Sequence, residues 1–67
     1  MDLRVEVAGR EVVADDVSAT GMFLGVVLPV GDEIELRLGE TRCRAVVVHR
    51  DEGGARPPGV GVAFTRP

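Results

Sequence analysis

An all-β fold, five to six short antiparallel strands forming a small barrel or sandwich, is what this sequence predicts, on three observations. Apolar and charged residues alternate with period two in short runs, of which LRVEV and EIELRL are the clearest. Valine dominates the apolar set while Phe23 and Phe64 are the sole aromatics, and β-branched side chains suit a pleated surface. Glycine, proline and aspartate punctuate the runs at short intervals, and no run carries a helical period.

The elements follow in order. In LRVEVA, Leu3, Val5 and Val7 share one face against Arg4 and Glu6, and Gly9-Arg10 turns the chain into EVVA as a first hairpin. The loop DVSATG leads to GMFLGV, a strand or bulged strand in which Gly25 marks a bend or a close backbone approach. Pro29 and Gly31-Asp32 supply turn chemistry, and EIELRLG then sets Ile34, Leu36 and Leu38 against Glu33, Glu35 and Arg37. Across Gly39-Glu40, TRCRAVVVHR starts with Arg42 and Arg44 outward and Cys43 and Ala45 inward. Three consecutive valines then break the alternation, so either both faces are covered there or a bulge shifts the register. DEGGARPPG reads as a flexible loop, and VGVAF closes the chain with Val60, Val62 and Phe64 on one face.

The chain has 67 residues, room for one domain spanning 1–67 and for no deep catalytic cleft, since a domain of this size buries only about 60% of its unfolded surface. Net charge is −3, and every basic residue is arginine. That balance argues against general electrostatic binding to nucleic acid, which needs a positive footprint, and against a polybasic membrane anchor. Cys43 is alone, which removes an intrachain disulfide, and no run is long enough for a membrane helix or built like a signal peptide. A reducing cytoplasm is the expected location.

Catalytic and metal chemistry find little support. His49 lacks zinc-spaced partners and reads as a solvated strand-end residue, while Cys43, though flanked by arginines, falls on the inward side. Ser18 lacks the strand–elbow–helix setting that activates a nucleophile. No catalytic residue, metal or cofactor is assigned, and an enzyme is not expected.

The segment Asp16-Val17-Ser18-Ala19-Thr20-Gly21 needs no ligand to be explained. An Asp carboxylate and a Ser hydroxyl can each accept a backbone N–H, and a glycine beyond them can take the left-handed conformation that ends a turn. Its wider setting adds a second reading. Asp16-x-Ser18-x-x-Gly21, then Met22 and Leu24, VGDEIEL, an arginine-flanked valine strand and the closing GVGVAF resemble the PilZ domain family in content and order, from Val12 to Phe64. The resemblance implies a small six-stranded antiparallel β-barrel and a bacterial signalling role, in many members as a receptor for cyclic di-GMP. It implies that Asp16, Ser18 and Gly21 form the ligand-facing turn, the carboxylate meeting the N–H edge of guanine.

The family's second motif, Arg-x-x-x-Arg upstream of the first strand, has no counterpart here, because Arg4 and Arg10 are separated by five residues and lie too close to Asp16. Those arginines stack on guanine and fork onto phosphate, so their loss implies weak or absent direct binding. The resemblance then implies a regulatory module working through protein contact, in motility, type IV pili or related regulation. Two alternatives stand beside it: a true cyclic di-GMP receptor with arginines supplied from outside this chain, and a purely structural barrel. Arg37, Arg42 and Arg44 face outward from neighbouring strands, either pairing with Glu33 and Glu35 or forming a surface for an acidic partner. A protein partner is expected, and a homodimer is the further candidate.

Overall fold

The structure, a computed structural model, describes residues 3–54 and 57–65. It is a closed antiparallel barrel of six strands with no helix among the described residues, and so with none that could cross a membrane. The strands are β1 (Leu3–Val7), β2 (Arg10–Asp15), β3 (Gly21–Leu24), β4 (Glu33–Leu38), β5 (Thr41–Asp51) and β6 (Gly59–Thr65). Their order around the barrel is β1-β2-β3-β6-β5-β4. Strand alternation makes this closure favourable: each strand turns one apolar face inward, and closing the sheet leaves no lateral edge exposed.

The interior is aliphatic. Val5 and Val7, Val12 and Ala14, Met22 and Leu24, and Leu36 arrive from β1 to β4; Ala45, Val47, Val60 and Val62 arrive from β5 and β6. Full burial of each Val or Leu is worth about 1.5–3 kcal/mol, which is what closes the cylinder. In the closing order β3 and β4 lie on opposite sides, so residues 25–32 cross one end of the barrel. Val26 and Leu28 of this crossing pack against the core. The Gly31 N–H donates to the Val47 carbonyl at 2.7 Å, and the Val47 N–H donates to the Asp32 carbonyl at 2.9 Å.

Three local details differ from, or sharpen, the pattern in the sequence. The first hairpin turns at Ala8-Gly9, both at positive φ (51° and 80°), while Arg10 already belongs to β2 and faces Val7. Strand β3 stops at Leu24; Gly25 lies beyond it and donates its N–H to the Val13 carbonyl at 2.9 Å. The valine triplet contains a bulge. Val47 faces Val62 and His49 faces Gly61, so Val48 is the extra residue, and it is 55% exposed. The bulge lets His49 stay at the surface instead of entering the core. Cys43 is half-buried against the core. The loop expected over 51–59 is shorter than that, since Asp51 ends β5 and Gly59 opens β6, and residues 55–56 within it fall outside the described residues.

Candidate functional site

The turn between β2 and β3 holds the candidate site, and its shape follows from a few backbone requirements. Asp16 adopts a left-handed conformation, φ 50°, which Asp tolerates better than most residues because its short side chain can bond locally. Its N–H is accepted by the Asp15 carboxylate at 2.9 Å. Further along, the Ser18 N–H donates to the Gly21 carbonyl at 2.9 Å. The Ser18 hydroxyl oxygen accepts the N–H groups of Thr20 and Gly21, both at 3.3 Å, and lies 3.3 Å from the Gly21 carbonyl and from the Thr20 hydroxyl. These are long bonds, individually weak, yet together they commit the hydroxyl to its own loop. The Thr20 carbonyl accepts the Phe64 N–H at 2.8 Å, which ties the loop to β6.

Gly21 has a different task from the one its position in a turn suggests. It is the first residue of β3, buried, with no positive φ. A Cβ built there would lie 2.1 Å from the Val62 carbonyl oxygen. The glycine is required because the β6 backbone passes against it. Gly59 repeats the device on the same pair of strands, where a Cβ would fall 2.3 Å from the Leu24 carbonyl oxygen. One expectation is thus corrected: the left-handed residue of the loop is Asp16 and not Gly21. The Asp15 carboxylate is an additional acceptor of a loop N–H.

Asp16 and Ser18 are therefore brought together at the surface, with Gly21 beneath them, and Asp15 joins them as a member that spacing alone did not single out. Asp15, Asp16, Ser18 and Thr20 are all exposed. Adjacent carboxylates at the lip give the loop a negative edge.

Arg37, Arg42 and Arg44 sit elsewhere, on the outer face of the β4–β5 hairpin, with β6 between them and the loop strand β3. Arg37 and Arg42 face each other directly, and Arg44 faces Glu35. The Arg37 Nε donates to the Gly39 carbonyl at 2.9 Å. Among the described residues neither Arg42 nor Arg44 forms an ion pair with Glu33 or Glu35; the close pairs are Arg4–Glu11 at 2.8 Å and Arg50–Glu52 at 3.7 Å.

No curated protein and no solved structure matches the chain. The PilZ domain family model matches residues 1–67, the whole chain, and the barrel has that family's six antiparallel strands. The chain belongs to the PilZ domain family, a family of non-catalytic binding and regulatory domains of cyclic di-GMP signalling.

Proposed function

We propose that this PilZ domain acts mainly through protein–protein contact and that its own binding of cyclic di-GMP is weak or absent. One observation carries the reading: the turn offers a ligand two adjacent exposed carboxylates, Asp15 and Asp16, while the Ser18 hydroxyl is already engaged by the backbone of its own loop. Cyclic di-GMP is a dianion. A carboxylate a few ångströms from one of its phosphates repels it by on the order of 1 kcal/mol in partly screened surroundings. The outward arginines Arg37 and Arg42, which have the fork geometry for phosphate, stand on the hairpin beyond β6.

Calorimetric titration of the domain with cyclic di-GMP tests this. The expected result is no saturable heat at high micromolar ligand. Saturable nanomolar binding that Asp16→Ala abolishes would reverse the assignment.

A second reading draws on the same loop. Ser18, the Thr20–Phe64 bond and the Gly21 contact hold the turn in shape with Asp16 exposed, which is what a guanine-facing turn needs. Arginines contributed from outside this chain would then complete a receptor. Binding that appears only when an Arg-x-x-x-Arg segment is joined upstream would favour it.

A further inference from the structure

Strand register assembles four charges into one row across the outside of the barrel. Glu11 faces Glu6 across the β1–β2 hairpin, Glu6 faces Arg37 across the junction of β1 and β4, and Arg37 faces Arg42 across the β4–β5 hairpin. The order along the row is acid, acid, base, base. Directly opposed side chains stand about 4.5–5.5 Å apart at Cβ, and like charges in that position destabilise a sheet. An isolated barrel would do better with the signs interleaved, yet here both like pairs occur side by side.

The row is also open to a partner. All four side chains are exposed. Arg37 faces Glu6 but turns its Nε to the Gly39 carbonyl, and neither Glu6 nor Arg42 forms an ion pair among the described residues. Glu11 is shared with Arg4, both side chains being 65% exposed. The surface beside the row is indented where β1 and β4 part. One depression of about 450 Å³ includes Ala8, Gly9, Ile34 and Arg42, and another of about 280 Å³ includes Arg4, Val5 and Gly39.

We propose that this face is a self-association surface whose occupant is a second copy of the chain. A two-fold axis running along the strands, through the junction of β1 and β4, reverses the row. It sets Glu6 against Arg37 of the second copy and Glu11 against Arg42 of the second copy, and each contact occurs twice. An acidic partner would satisfy the arginines but press against Glu6 and Glu11. A partner must be bipolar to match the whole row, and a second copy is bipolar by construction. The depressions give the long side chains of an otherwise convex surface somewhere to lie.

Exposed ion pairs are individually weak and screened by salt, and this surface offers four of them with little apolar area to add. The association is therefore weak, with a Kd on the order of 0.1–1 mM, and sensitive to salt. This deepens the protein-contact reading by naming a partner. A strictly monomeric chain that also gives no heat with cyclic di-GMP refutes the dimer and leaves that reading standing, whereas tight dinucleotide binding refutes the reading and leaves the dimer untouched.

The test is sedimentation equilibrium on the full chain up to roughly 1 mM, at low salt and at about 0.5 M salt, where screening shortens to a few ångströms. Two double variants accompany it, Arg37→Glu with Arg42→Glu, and Glu6→Arg with Glu11→Arg. The wild type should dimerise at low salt and lose at least tenfold in association constant at high salt. Each variant alone should be monomeric, and their equimolar mixture should recover a heterodimer. Circular dichroism checks that each variant is folded; where a double variant is not, Arg42→Glu and Glu11→Arg repeat the cross as singles. A wild type monomeric throughout, a mixture that fails to associate, or a dimer indifferent to the variants would overturn the proposal. So would capture of a polyglutamate peptide by a monomeric wild type and not by the arginine variant, which would assign the face to an acidic partner.

Discussion

Ala8 is where the backbone asks most of a side chain. It sits at φ 51° beside Gly9 at φ 80°, so both central residues of the β1–β2 turn are left-handed, as a two-residue hairpin with the twist of its strands requires. Asn-Gly is the favoured pair for that geometry, and Ala pays roughly 1 kcal/mol for a left-handed position. Ala8→Asn should therefore stabilise the domain by about 0.5–1 kcal/mol, read as a higher urea midpoint with unchanged slope. Gly21→Ala should do the opposite, because the atom its Cβ would strike is the backbone oxygen of Val62 and cannot rotate away. A loss of about 3 kcal/mol, the upper end of overpacking costs, is expected in the same experiment. Ser18→Ala removes bonds that are all 3.3 Å long, so it should cost only about 1 kcal/mol and leave the barrel intact. A much larger loss would mean that the hydroxyl holds more of the barrel than its own loop.

At the level of elements, β5 separates what periodicity states from what it omits. Val47 points into the core at 1% exposure, and Val48 is its bulged neighbour at 55%. Val47→Ala should cost about 2 kcal/mol through lost burial and a residual cavity, while Val48→Thr should stay within about 0.5 kcal/mol, both by thermal or urea unfolding. Equal costs would refute the bulge. The strands were legible because each half-buried run alternates, and the valine triplet announced an irregularity. It did not say which valine was extra, since that is fixed by Gly61 on β6 opposing His49. The first turn was misplaced by one residue for a related reason: Ala carries no turn signal, and only the strand register forces Ala8 into the left-handed region. The candidate loop was half legible. Its hydroxyl turn follows from local chemistry, whereas the Asp15 carboxylate that accepts the Asp16 N–H goes with a left-handed Asp16 that no local pattern announces. The reason for Gly21 lies in β6, too far along the chain for a local pattern to reveal.

For the whole molecule, alternation supplies strands but not their order, and the order β1-β2-β3-β6-β5-β4 makes the closure uneven. β5 and β6 register from Arg44↔Thr65 to Asp51↔Gly59, while β1 meets β4 only at Glu6↔Arg37 and Val7↔Leu36, and β2 meets β3 only at Ala14↔Leu24 and Asp15↔Phe23. Stability for 67 residues is on the order of 3–10 kcal/mol, so a barrel with two short junctions has little in reserve at either. Leu36 is fully buried at the β1–β4 junction, and Leu36→Ala, at about 2–5 kcal/mol, should leave a large unfolded fraction by circular dichroism at 25 °C. Native-state hydrogen exchange should then resolve two levels of opening in the wild type. Amides bonded between β5 and β6 should exchange only through global unfolding, and those bonded between β1 and β4 through a cheaper local parting of the two strands. The measurement belongs at low micromolar concentration, because a second copy docked over Glu6 and Arg37 would cover the junction and raise its protection as concentration rises. Uniform protection around the barrel, at every concentration, would show that the short junctions are as strong as the long one and that the cylinder opens as a single unit.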